Sequence, residues 1–118
     1  MAKRPHSRFD CSPGCAVEAA ISVIDGKWKS VILWHLLNEG TLRFNELGRR
    51  APSATPRMLT NQLRELEQDG LVHRQVYAQV PPKVEYSLTD RGRELEPVLI
   101  ALKSWGDAHM SLFTGTPT

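Results

Sequence analysis

Nowhere does this chain of 118 residues gather the ~18–20 consecutive apolar residues that a membrane-spanning helix requires. It has only two cysteines, Cys11 and Cys15, too few for a disulfide scaffold, and a reducing compartment would leave both as thiols. The basic N-terminal stretch is not followed by an apolar segment ending in a small-residue cleavage site. No secretory signal is therefore expected, and the cytoplasm is the expected location. Catalytic signatures are missing as well: no Gly-rich phosphate loop, no paired carboxylates, no C-x-x-C and no cysteine with a positioned histidine base. These absences argue against an enzyme, including a thiol enzyme built on Cys11 and Cys15, and no cofactor is expected. A metal site of His6, Cys11 and Cys15 lacks a fourth ligand and the usual two-residue cysteine spacing, so no metal is expected either.

The formal net charge of +2 says little about partners, but its distribution says more. Between Gly40 and Arg64 stand Arg43, Arg49, Arg50, Arg57 and Arg64 against the single acid Glu46, a local balance of +4. From Glu65 onward eight acids face five bases, a balance of −3. A basic middle beside an acidic second half suits a molecule with one face for phosphate and another for a different contact.

Residues 1–12 are polar and basic without periodicity and read as a flexible arm. A domain is expected over 13–113, with a frayed tail at 114–118. After Pro13-Gly14, Val17, Ala20, Ile21 and Ile24 mark a first helix ending near Asp25-Gly26. A second helix is expected from Lys27 to Asn38, broadly apolar and therefore buried on more than one side. His35 on that helix is expected to be a satisfied core histidine. Thr41-Leu42-Arg43 has room for no more than a stub of strand, and Phe44 to Arg50 forms a short third helix. Thr55 suits an N-cap and Pro56 a first helical position, so a fourth helix should run from Pro56 to about Asp69, stopped by Gly70. The period then switches to strand-like runs at 71–77 and 84–88 around Pro81-Pro82, a hairpin. Thr89 should cap a long last helix in which Pro97 forces a kink or a late start. The fold class is mainly α with a β-hairpin, the order of a winged helix–turn–helix with N- and C-terminal dimerisation helices.

The fourth helix carries the candidate chemistry. Leu59, Leu63 and Leu66 fall on one stripe, and Arg57, Thr60, Asn61 and Arg64 on the outer face. Arg can bond guanine O6 and N7 in bidentate fashion, Asn can do so to adenine N6 and N7, and Thr offers a hydroxyl or a methyl group. These four are the expected base readers. Thr55, at a helix N-terminus that favours phosphate, and Arg43, opening the third helix, are expected on the DNA backbone. Lys27 and Lys29 oppose the dipole of the second helix, a hint of an anionic partner, and join that set. Gln79 and Lys83, beside the stiff proline pair, complete it from the hairpin tip. An ordinary amphipathic surface helix is the plain competing reading of these residues.

The runs from Cys15 to Trp28, Arg43-Phe44-Asn45-Glu46-Leu47, Leu59 to Val72, and Pro81 to Thr89 together resemble the HxlR family of winged-helix regulators over roughly residues 15–106. The resemblance implies a homodimer acting on near-palindromic double-stranded DNA, a transcription regulator with repression the expected direction. It also implies a response to oxidants or electrophiles through a cysteine opening the first helix, which matches Cys15. Many members have proline after that cysteine, where this chain has Ala16. Cys11 lies outside the matched pattern but is a candidate disulfide partner. A helix N-terminus and nearby cations would give Cys15 thiolate character, whereas burial would make it a packing residue.

Val98, Leu99, Leu102 and Trp105 line one side of the last helix, and a small domain cannot bury them all. Pairing them with Ile21 and Ile24 of a second copy would make a two-fold dimer. A winged-helix protein-interaction module without DNA contact is the alternative, and its mark would be neutral or acidic residues at positions 43, 57 and 64, which are arginines here. A small-molecule effector has no signature in the sequence.

Overall fold

The computed structural model describes residues 14–114; the expected arm at 1–12, with Cys11, and residues 115–118 of the expected tail lie outside the described residues. The elements are α1 (Cys15–Ile24), α2 (Lys29–Glu39), β1 (Leu42–Arg43), α3 (Phe44–Arg50), α4 (Pro56–Gln68), β2 (Val72–Tyr77), β3 (Lys83–Leu88), α5 (Asp90–Arg93), α6 (Glu96–Ala108) and α7 (Met110–Thr114). The three strands form one antiparallel sheet in the order β1-β3-β2. The hairpin pairs Val72 with Leu88 at its base and Tyr77 with Lys83 at its tip, while Leu42 pairs with Tyr86. This is the winged helix–turn–helix arrangement, with β2 and β3 as the wing. No helix among the described residues is long and apolar enough to cross a membrane.

The core forms where α2, α4 and the sheet converge. Ile32, Leu33 and Leu36 of α2 meet Leu59, Leu63 and Leu66 of α4, with Leu71, Val72, Tyr86 and Leu88 behind them. Each such side chain taken from water stabilises the fold by about 1.5–3 kcal/mol. Three expectations need correction. The second helix starts at Lys29 rather than Lys27, because Trp28 adopts a left-handed backbone (φ 81°) that a continuing helix does not allow. His35 is half-buried rather than a core residue, with Nδ1 3.1 Å from Glu39 Oε2. The expected long last helix is three segments. Pro97 sits in the first turn of α6, where its missing N–H leaves no gap, and the chain before it closes on a Leu95 N–H to Gly92 carbonyl bond of 3.1 Å. At the far end, α7 closes on Thr114, the first residue of the expected tail.

The C-terminus of α4 is closed by two reciprocal bonds. The Leu71 N–H reaches the Leu66 carbonyl and the Gly70 N–H the Glu67 carbonyl, both at 3.0 Å, with Gly70 at φ 77°. This is a left-handed glycine stop, as Gly70 in the sequence suggested. Thr89 then binds the wing's exit to the same turn. Its Oγ1 donates to the Gly70 carbonyl at 2.6 Å and accepts from the Gly92 N–H at 3.0 Å. A Cβ at Gly92 would stand 2.2 Å from the Leu71 carbonyl oxygen, a backbone atom that cannot yield. Gly92→Ala should therefore destabilise the domain by about 3 kcal/mol, lowering Tm by ~10 °C or more in a thermal melt, with Gly48→Ala, where a Cβ meets nothing within 4 Å, as the control.

Candidate nucleic-acid interface

The turn 51–55 leads from α3 into α4, and Thr55 sets the start of α4. Its Oγ1 accepts the Met58 N–H at 3.1 Å, and its carbonyl accepts the Leu59 N–H at 3.0 Å. Pro56 has no N–H to satisfy, so the Arg57 amide is the first-turn donor that no described residue takes. The Leu59, Leu63 and Leu66 stripe is fully buried. Burial of that stripe turns Arg57, Asn61 and Arg64 outward into solvent, while Thr60 is half-buried at the edge of the face. The next acid, Glu65, is tied to the body of the domain: its Oε1 accepts from Lys29 Nζ at 2.7 Å.

That ion pair removes Lys29 from the residues expected on DNA phosphates. The side chain is buried, with the residue 4% exposed, and its ammonium is committed to α4. The dipole argument from sequence located a real anionic partner, but the partner is within the chain. Lys27 stays exposed, its ammonium 5.7 Å from the Trp28 ring centroid. Next to Lys29, two buried polar atoms, Trp28 Nε1 and Gln62 Oε1, have no hydrogen-bond partner among the described residues.

Arg43 is exposed at the N-cap of α3, where its own backbone N–H donates to Glu46 Oε1 at 2.7 Å, so the start of that helix is fixed while the side chain stands in solvent. Arg50 is committed elsewhere: its Nε donates to Glu39 at 2.7 Å and its Nη1 to the Glu46 carbonyl at 2.7 Å. Its hydrogen bonds hold the Glu39 carboxyl below the usual carboxylate range. On the wing, Gln79 is exposed, whereas Lys83 is half-buried, 3.4 Å from Glu85 and over the Tyr77 ring at 4.8 Å. The Tyr77 phenol is in turn held above its ordinary value by its hydrogen bond with Glu85. Two exposed cations, Arg49 on α3 and Arg74 on β2, were not singled out from sequence. Arg49 was counted in the basic block but lies on no apolar stripe, and Arg74 could only be placed once the register opposite Tyr86 was known.

Cys15 is the first residue of α1, behind Gly14, and is 5% exposed. Of the residues expected at a dimer surface, Ile21, Val98, Leu102 and Trp105 are exposed and Ile24 is half-buried against the core. Leu99 is a correction: it points inward and is buried in its own protomer's core, because it follows Leu95 by one turn and meets α2. Trp105 is 57% exposed, stacked on His109 at 4.2 Å between centroids, with Phe113 also exposed beside it. Val17, Ile100 and Leu112 are exposed as well, Ile100 on the opposite side of α6 from Val98 and Leu102.

The family model of the HxlR-like helix-turn-helix matches residues 23–113, which leaves Cys15 outside the matched stretch. Among curated proteins, the uncharacterized HTH-type regulators YybR and YdeP of Bacillus subtilis (strain 168) are similar. YybR is 58% identical over 96 residues, covering 81% of this chain and 76% of its own length; YdeP is 57% identical over 96 residues, covering 81% and 74%. Among solved structures, the redox regulator HypR in its reduced form superposes with a TM-score of 0.79 at 53% identity, covering 86% of this chain and 99% of that one. HypR in its oxidized form gives 0.75 at 58% identity, covering 80% and 96%.

The Lys29 and Glu65 side chains differ in what their removal leaves behind. Glu65→Ala strands a buried ammonium and should destabilise the fold by about 3 kcal/mol in a denaturant titration, whereas Lys29→Met leaves Glu65, half exposed, to rehydrate and should be near neutral. Lys29→Met should also leave the salt dependence of DNA binding unchanged; a shallower slope would return Lys29 to the phosphate-binding set.

Proposed function

The chain belongs to the HxlR-like helix-turn-helix family of transcription regulators, and from that premise we propose how it reads DNA. The observation that carries the reading is α4, with three leucines inward, Arg57, Asn61 and Arg64 outward, and its neighbouring acid drawn back to Lys29. In this reading α4 lies in the major groove. Arg57, Asn61 and Arg64 meet base edges, with Thr60 contributing its methyl group from the margin. Arg43, Lys27 and the N-terminus of α4 at Thr55 and Arg57 hold the backbone, and Gln79 and Lys83 bring the wing to the adjacent strand. The domain is the unit 13–113. It works in the cytoplasm as a homodimer joined through α1 and α6, with Ile21, Val98, Leu102 and Trp105 at the seam. The two reading helices would then stand about one DNA turn, ~34 Å, apart on a near-palindromic operator. Three exposed arginines at positions 43, 57 and 64 favour this over a protein-interaction module.

Affinity for a fragment from beside the gene should fall steeply with salt, by about 0.9 log unit per log unit for each phosphate contact, with two protomers per site. Arg64→Ala should relax base preference, costing about 1–3 kcal/mol at the operator and little on random DNA, whereas Arg43→Ala should weaken both equally and flatten the slope. A flat salt response would overturn the reading, and equal losses on both DNAs for both variants would overturn the division of roles.

A redox response is part of the proposal, supported by the similarity to HypR and by the seat of Cys15. Its thiol is packed at the N-terminus of the helix that carries half of the proposed dimer seam, so oxidation there adds polar volume to a closed site and shifts α1. Cys15→Ser should keep operator binding and lose its response to diamide or peroxide in a mobility-shift assay; a retained response would exclude Cys15.

A further inference from the structure

Between α2 and α6 lies a cleft of about 400 Å³ that the DNA-binding reading does not use. Its size falls in the ~300–1,000 Å³ range of small-molecule sites. Val31 and Trp34 of α2 face Leu99 and Leu102 of α6 across it, and Ser30 and Lys103 add polar groups to the lining. We propose that this cleft binds a flat aromatic monoanion, such as an aryl carboxylate.

The chemistry of the lining sets that class. The half-buried Trp34 supplies an aromatic face, and aliphatic side chains stand opposite it, so a planar ring can lie between them. The Lys103 ammonium lies over the Trp34 ring, 5.8 Å from its centroid, so a ring that stacks on the indole takes the place of this cation and meets it at its edge. Lys103 already meets Asp107 one turn along α6, but both side chains are more than half exposed. Such a pair is weak and yields readily to a carboxylate held against Trp34. The Ser30 hydroxyl is the neutral donor for a second oxygen. His35 also lines the cleft and is turned toward Glu39, so Lys103 is the full positive charge that the lining offers. One cation and an apolar slot fit one negative charge on an aromatic body. A dianion or a sugar phosphate would meet too few donors.

The assignment concerns a single protomer and does not rest on the operator reading. Leu102 is shared with the proposed dimer seam, so a side chain of a second copy is the competing occupant.

The test is a titration of the full chain with 2-naphthoate, following the Trp34 indole N–H in nitrogen-15 correlation spectra. Uncharged 2-naphthylmethanol and non-aromatic cyclohexanecarboxylate are titrated in parallel. The expected result is a shift of the Trp34 signal by 2-naphthoate, with affinity at least about threefold above either comparison compound. Lys103→Met, at an exposed position that does not endanger folding, should remove the preference for naphthoate over the alcohol and leave alcohol binding unchanged. Trp34→Leu should weaken both aromatic compounds. No shift at Trp34, equal affinity for all three compounds, or an unaltered preference in Lys103→Met would overturn the proposal. A Trp34 signal that responds to protein concentration and not to naphthoate would assign the cleft to the second copy instead.

Discussion

Burial of one leucine stripe decides what α4 shows to the outside. Leu59, Leu63 and Leu66 must all reach the surface that Ile32, Leu33 and Leu36 present, and together these six residues lie at the centre of the core. An α-helix that satisfies three such contacts spaced over two turns has no rotational freedom left about its axis. The orientation of Arg57, Asn61 and Arg64 is therefore set by hydrocarbon packing on the opposite side of the helix. The Lys29–Glu65 ion pair acts beside that stripe and fixes the same helix a second time, from the first residue of α2. With one partner buried and the other half exposed, the cost of desolvating the ammonium offsets much of what the pair adds to net stability.

Most of this arrangement was legible in the residues. The helices that pack through a period-3.6 stripe came out close to their true bounds, and so did the Thr55-Pro56 start and the Gly70 stop, because caps are local chemistry. What could not be read were features decided by tertiary partners. Trp28 has nothing in its side chain that announces a left-handed backbone; the tight passage from α1 into α2 imposes it. Lys29 looked like a surface cation because Glu65, its partner, lies 36 residues away in the chain. Leu99 sits in a run where Val98, Ile100 and Leu102 are also apolar, and hydrophobicity alone does not tell which of them faces the protomer's own core.

The candidate site divides along the same line. Arg57, Asn61 and Arg64 were identifiable because an outer face is the complement of an inner one, and the inner one was unmistakable. Which of the remaining arginines hold structure and which face solvent depends on the exposed Arg43 and Arg49 on one side and the Arg50–Glu39 clasp on the other, and that is a matter of three dimensions. The cleft between α2 and α6 had no signature at all, since its walls come from segments some seventy residues apart whose apolar residues read simply as core.

The Thr89 bridge has a consequence for how such regulators can diversify. By joining the stop of α4 to the exit of the wing, it ties helix and hairpin together at one end, so their relative placement is a property of the scaffold. Exchanges on the outer face of α4 touch no core atom and leave folding stability within about 0.5 kcal/mol. A lineage built on this frame can thus exchange the side chains that α4 presents without altering the frame that presents them.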